Sequence, residues 1–297
     1  MNVKRIVLIV VAAFLVGVLG FLGFNYVRAL TDKKENPIVS IEVEGYGTVE
    51  IELYPDVAPN TVKNFIKLAE SGFYDGKTFS EIGDTFVKGG LDLTKPEDTE
   101  SEKTEASDEV AVVGSETGEE KETIVGPKLS DVKDLDDDEE DAAYSIKGEF
   151  SDAGFTDNRL SHERGIVSMA RVDYSDYQKE IAMMQMLGDD YSSTLEYIID
   201  KMNDSATSGF FILTDDDTSY NGTYTAFGKV VSGMDIVDKI SEVETTEEDG
   251  KKVPKTQPVI KSMKVDTKGV DYGSPETIEV FDFDSIFNMF LSNYVNS

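Results

Sequence analysis

Between residues 38 and 53 the chain alternates strictly. Val39, Ile41 and Val43 alternate with Ser40, Glu42 and Glu44. After Gly45-Tyr46-Gly47 the pattern resumes as Val49, Ile51 and Leu53 against Glu50 and Glu52. A period of two puts the apolar side chains on one face of extended backbone, so these residues predict a β-hairpin with one buried face. Pro55 and Pro59 end it. Asn60 or Thr61 then suits a helix N-cap, Val62, Phe65, Ile66 and Ala69 share one helical face, and Gly72 suits the position just past the helix end. Strand and turn signals return from Gly209 to Val265, with a turn at Tyr220-Asn221-Gly222.

Two segments interrupt the strand pattern. Residues 92–143 carry 20 Asp and Glu against 5 Lys. Such a stretch has too little apolar surface to order itself and reads as a disordered acidic loop. Asp134, Asp136 and Asp138 are spaced like the start of an EF-hand, but Glu139 stands where the turn needs glycine, which weighs against calcium. Between residues 172 and 204 lies a helical hairpin pattern. Ser175 with Gln178, and Ser193 with Glu196, read as capping boxes. Ile181, Met184, Met186 and Leu187 mark the first helix, and Leu195, Ile198, Ile199 and Met202 the second. Met183, Met184 and Met186 suit either an adaptable client-binding surface or, more simply, packing on the domain. The tail holds another amphipathic stretch, with Asp284 as cap and Ile286, Phe287, Phe290 and Leu291 as its apolar face, expected to cover an apolar patch on the β-structure.

At the other end, Lys4 and Arg5 precede an uncharged apolar run from Ile6 to Phe24. At 1.5 Å per residue it reaches ~28 Å, close to a bilayer core. Its length favours an uncleaved membrane anchor over a secretory signal cut after Val27-Arg28-Ala29. Flanking charges are balanced, but a long downstream domain can translocate regardless, so residues beyond 30 are expected outside the cytoplasm, secreted if the segment is cleaved.

Composition removes several chemistries. The net charge of −31 excludes a nucleic-acid partner, since a polyanion would be repelled. Cysteine is absent and His162 is the one histidine, which leaves no disulfide, no thiolate nucleophile and no multi-histidine metal site. No cofactor and no metal are expected. Ser208 near Asp204 lacks the histidine and elbow glycines of a hydrolase.

Four blocks, in order, carry a resemblance. The first runs from Val49 through Tyr54-Pro55-Asp56-Val57-Ala58-Pro59-Asn60-Thr61-Val62-Lys63-Asn64-Phe65 to Gly72-Phe73-Tyr74-Asp75-Gly76-Lys77-Thr78-Phe79, and then from Phe86 to Gly89-Gly90. The second is Tyr144 to Phe150 with His162-Glu163-Arg164-Gly165-Ile166-Val167-Ser168-Met169-Ala170. The third is Ser208 to Ile212, and the fourth Phe227 to Ile240. Together they resemble the cyclophilin family of peptidyl-prolyl isomerases. The resemblance implies a mainly β fold: a closed antiparallel eight-stranded barrel capped by two helices, one over 60–71 and one near Met234 to Ile240. The expected organisation is an anchor or signal at 1–30, a linker at 31–37, the cyclophilin-like domain at 38–268 with insertions at 92–143 and 172–204, and a C-terminal extension at 269–297.

The implied reaction needs neither nucleophile nor cofactor. Rotation about a peptide bond faces ~18–20 kcal/mol of resonance barrier, and a catalyst must grip the proline ring and favour the twisted amide over both planar forms. A cationic donor aimed at the prolyl nitrogen does this. By resemblance, Phe86, Val87, Ala170 and Phe211 hold the proline ring, with Tyr220 where leucine is usual and Tyr224 where histidine is usual. The polar half departs. Thr78-Phe79 is followed by Ser80-Glu81, so Glu81 replaces the expected catalytic arginine. Gly209 replaces a glutamine, Ser219 a tryptophan, and the stretch from Phe79 to Gly89 is one residue short. Lys88 and Arg171 are the cations able to substitute. His162, in a turn before a strand, reads as structural. The sequence therefore implies a peptidyl-prolyl isomerase assisting exported proteins; the alternatives are an impaired binding module or chaperone holding proline-containing segments, or a barrel serving only as scaffold.

Overall fold

The computed structural model describes residues 35–94, 123–136, 139–172, 174–186, 192–248, 250–280 and 287. The apolar run Ile6–Phe24 lies outside them, and among the described residues no helix is long and apolar enough to cross a membrane. The predicted hairpin is β1 (Ile38–Val43) and β2 (Gly47–Leu53), paired in register from Ile38 opposite Glu52 to Val43 opposite Gly47. Val39, Ile41, Val43, Val49, Ile51 and Leu53 are all buried, as period two requires.

Helix α1 spans Pro59–Glu70, with proline in its first turn, where a missing N–H costs nothing. Neither Asn60 nor Thr61 caps it. The N-cap is Ala58, and Glu149 closes the helix end from 88 residues away, its carboxylate accepting from the N–H of Asn60 (2.9 Å) and of Thr61 (2.8 Å). A carboxylate at a helix N-terminus meets both the unsatisfied N–H groups and the positive end of the dipole.

The remaining strands are β3 (Thr78–Ile82), β4 (Phe86–Thr94), β5 (Thr123–Val125), β6 (Tyr144–Ser145), β7 (Ile166–Met169), β8 (Phe210–Leu213), β9 (Ala226–Ser232), β10 (Thr245–Glu248), β11 (Lys251–Pro254), β12 (Ile260–Asp266) and β13 (Ile278–Glu279). The helices are α2 (Gln178–Met186), α3 (Ser192–Asn203) and α4 (Met234–Ser241). The main sheet runs β12-β1-β2-β9-β7-β8-β4-β3, with β5 added on β4. It curls but does not close, which corrects the expectation of a closed barrel. Edge strand β3 and the turn before it meet the start of β12 through the single bridge Thr78–Val259 and the bonds Gly76 N–H to Ile260 C=O, Ile260 N–H to Lys77 C=O and Phe79 N–H to Pro258 C=O. The ladder stops there for two reasons. Pro258 has no N–H to give, and the Asp75 carboxylate rather than a strand backbone accepts from Met263 N–H.

The inner face of this half-barrel holds the main core. Phe65 of α1 fills its middle, 5.0–5.4 Å from the rings of Phe227, Tyr74 and Phe210. Fully burying such a side chain contributes about 2–3 kcal/mol. Helix α4 adds Ile236, Val237 and Ile240 to the same core. Its N-cap Gly233 has φ +84°, and a Cβ there would stand 2.5 Å from Thr48 O, so only glycine fits.

The acidic insertion differs from the sequence reading, and the helical hairpin is present as α2 and α3 but starts differently from the reading. Residues 123–125 of the stretch read as disordered form a strand. Strand β5 pairs with β4, Val132 is buried in the main core, and Asp131 and Asp141 accept from the N–H groups of Lys128 and Ser130. These carboxylates close turns instead of facing only water. Residues 95–122, and Asp138 of the acidic triplet, lie outside the described residues. In the hairpin, Ser193 lies inside α3, which begins at Ser192, and Ser175 lies in the 3-10 turn Tyr174–Tyr177. Met184, Ile198, Met202 and Tyr177 form a small core of their own, while Met186 is exposed. Phe287 packs on this hairpin cluster; the rest of the amphipathic tail stretch lies outside the described residues.

Candidate functional site

The sheet has a second apolar face. Alternation on β4, β7, β8 and β9 sends Val87, Val167, Met169, Phe210, Ile212 and Phe227 inward to the main core. The alternate residues Phe86, Ile166, Phe211, Leu213 and Ala226 turn outward and form a separate cluster with Leu160, Ala170, Tyr220 and Tyr224. This outward cluster is the candidate site. Val87 is not part of it: the residue is fully buried on the inner face, one position out of phase with Phe86.

Phe211 is the floor. Its ring lies 5.6 Å from Phe86, 5.4 Å from Tyr220 and 5.3 Å from Tyr224, the last edge-on at 90°. Three aromatic rings around Phe211 form an apolar cluster whose chemistry suits a flat apolar group. The β3–β4 turn sets Phe86. Gly83 donates its N–H to Phe86 C=O, and a Cβ on Gly83 would fall 2.2 Å from the Phe86 ring. The turn that carries Tyr220 is tied to Thr85 and to His162 and is closed by a bond of its own. Asp217 accepts from Thr85 Oγ1 and Ser219 Oγ, its N–H reaches His162 C=O, and Asn221 Oδ1 accepts from His162 N–H.

His162 lies behind the floor, stacked on Phe211 at 6.5 Å and 15°. It is 1% exposed. Nδ1 faces Asn221 Oδ1 at 3.0 Å and Nε2 faces Ser168 Oγ at 2.8 Å. A carbonyl oxygen can only accept, so Nδ1 carries the proton and Nε2 accepts from the serine hydroxyl. Burial pushes the imidazole below its ordinary value, partly opposed by the Asn221 hydrogen bond. The unfolded chain therefore binds this proton more readily, and stability is complete above about pH 6.5 and declines as pH falls below it. Since this is the one histidine, thermal melts between about pH 7.5 and 5.8 read it largely above the range where carboxylates titrate. A lower Tm at the acid end is expected, and a flat profile would show that the ring charges freely in the folded state.

The polar side of the site is set by register. Lys88 stands opposite Phe211 on β8 and opposite Glu81 on β3, and cross-strand partners share a face. Glu81, Lys88, Phe211 and Ser168 thus form one row on the outward face, with Ser168 opposite Phe211 on β7. Glu81 and Lys88 are ion-paired, both less than a quarter exposed. Arg171 is held elsewhere. Its Nε donates to Thr223 C=O and its NH1 to Val172 C=O, and its guanidinium lies 4.6 Å from the Tyr224 ring centre and 4.5 Å from that of Tyr174. At Gly209 a Cβ would stand 2.8 Å from Leu91 Cγ, so Leu91 occupies the space a glutamine there would need. Ser219 is spent on Asp217.

Sequence reasoning missed the Ser168–His162–Asn221 chain, Leu91 and the floor residues Ile166, Leu213 and Ala226. The last three could have been found by carrying the period-two count from Phe211 onto the neighbouring strands.

The family model "Cyclophilin type peptidyl-prolyl cis-trans isomerase/CLD" matches residues 38–182 and 197–265. The chain belongs to this cyclophilin-type peptidyl-prolyl cis-trans isomerase family. It is 28% identical over 207 residues to peptidyl-prolyl cis-trans isomerase B of Bacillus subtilis, covering 69% of this chain and 92% of that protein. A probable peptidyl-prolyl cis-trans isomerase of Brucella suis is 30% identical over 223 residues, covering 75% and 80% respectively. A solved cyclophilin-type isomerase of Cryptosporidium parvum aligns with a TM-score of 0.46 at 19% identity, over 78% of this chain and 97% of that one.

Proposed function

We propose that the outward cluster binds the proline ring of an extended polypeptide and that Lys88 supplies the cation for isomerisation. The observation that carries this reading is the register: Lys88 is opposite Phe211 on the same face of the sheet. An ammonium beside the ring floor donates where nitrogen regains its lone pair in the twisted amide. Arg171 is the poorer candidate, because its Nε and NH1 already serve Thr223 and Val172. Glu81 is not a donor; it neutralises Lys88 in the resting site and restrains it. That restraint favours slow turnover, and it is the one feature that speaks for a chaperone-like module that holds proline segments.

The test uses the full chain and a short X-Pro peptide. Glu81→Gln is expected to raise kcat/KM several-fold by freeing the ammonium. Adding Lys88→Met to that variant is expected to lower it about 100-fold, the usual cost of one preorganised donor. Equal rates in the single and double variants would exclude Lys88. We also propose that the apolar run Ile6–Phe24 tethers the domain outside the cytoplasm, where its clients are exported polypeptides; the length and purity of that run support this reading.

A further inference from the structure

The helical hairpin is inserted between two rims of the proline pocket. It leaves the sheet after Ala170 and returns before Phe210, and its root is pinned by Ala170 N–H to Gly209 C=O (2.8 Å) and Val172 N–H to Ser205 Oγ (2.8 Å). A groove of about 360 Å³ opens on it, lined by Tyr174, Gln178, Ile181, Ala182, Gln185 and Ile199. The groove is joined to the pocket by a stack. Phe211 lies 5.3 Å from Tyr224, Tyr224 lies 4.6 Å from the Arg171 guanidinium, and Arg171 lies 4.5 Å from Tyr174, a groove wall. Tyr174 is fixed by its hydroxyl, which donates to Asn203 Oδ1, and Asn203 is itself buried.

We infer that this groove is a second subsite for the same polypeptide, taking a large apolar side chain about four residues from the proline; this rests on the proline-pocket reading. Four extended residues at ~3.4 Å each cover the path from Phe211 to Tyr174. The lining is apolar with two glutamines, which suits an aromatic or aliphatic side chain on a backbone that still needs hydrogen-bond partners. Linking two weak subsites through one chain raises affinity without any tighter grip on the proline.

The protein holds no tryptophan, so a tryptophan in the peptide reports on the groove by its fluorescence. The probes are a short Ala-Ala-Pro-Ala peptide and longer peptides with tryptophan four residues before or four residues after the proline. One tryptophan peptide is expected to bind the full chain at least 10-fold more tightly than the short one. Ala182→Arg, at an exposed position outside the pocket, is expected to abolish that gain and leave short-peptide binding unchanged. The inference is overturned if neither tryptophan peptide gains, if Ala182→Arg keeps the gain, or if the peptide binds equally with alanine in place of proline. It is also overturned if the gain exists only after removal of residues 281–297, because the groove would then belong to the chain's own tail, whose Phe287 packs on the same hairpin. Failure of the short peptide itself to bind would instead remove the proline pocket, and the subsite with it.

Discussion

Phe211→Ala is expected to lower kcat/KM on an X-Pro peptide about 100-fold. The ring is the floor against which Phe86, Tyr220 and Tyr224 are arranged, and it is 4% exposed. Losing an aromatic contact surface of this size against a proline ring removes about 1.5–3 kcal/mol of binding, and tenfold in rate corresponds to 1.36 kcal/mol. The same change leaves a cavity beside His162, so the fold loses about 3–5 kcal/mol as well. Activity and unfolding are therefore measured together at low temperature, where the variant stays folded. Undiminished activity in a folded Phe211→Ala protein would place the substrate elsewhere.

Glu149→Ala carries the largest expected loss of stability outside the site. Two backbone N–H groups at the start of α1 have this carboxylate as their partner, and it is 5% exposed. Hydrogen bonds to a charged acceptor contribute about 1.5–3 kcal/mol each, so the deletion costs about 3–5 kcal/mol and lowers Tm by about 10 °C. Glu149→Gln keeps one acceptor oxygen and should fall between the two. A loss under about 0.5 kcal/mol for alanine would mean that water replaces the carboxylate, as at an ordinary exposed helix end.

These two residues also mark what the sequence makes legible. Phe211 is readable because alternation assigns it a face and the surrounding block resembles a known family. Glu149 is not, because its partners lie 88 and 89 residues away and no local rule couples them. The local rules instead favour Asn60 or Thr61 as cap. Val87 shows the opposite failure: adjacency to Phe86 suggests the pocket, while strand geometry sends neighbours to opposite faces. The open edge between β3 and β12 follows from Pro258 and the Asp75 turn, which family resemblance alone passes over. The turns and strand in 123–136 and 139–143 are hidden by charge in the sequence, since carboxylates that close turns have the same composition as carboxylates in a solvated loop.

The choice between Lys88 and Arg171 was likewise open in the sequence. Both are cations beside pocket residues. Register separates them, because it puts Lys88 opposite the floor and leaves Arg171 stacked between Tyr174 and Tyr224. Leu91 over Gly209 leaves no ready space for a glutamine at that position. A Gly209→Gln change would have to displace a packed leucine before its amide reached substrate.

The most direct measurement is exchange NMR on a short X-Pro peptide mixed with a substoichiometric amount of the full chain. Cross-peaks between the cis and trans proline signals, absent from peptide alone and lost with Phe211→Ala, are the expected result. Peptide signals that shift on binding with no cis–trans cross-peaks would contradict catalysis and leave a proline-binding module.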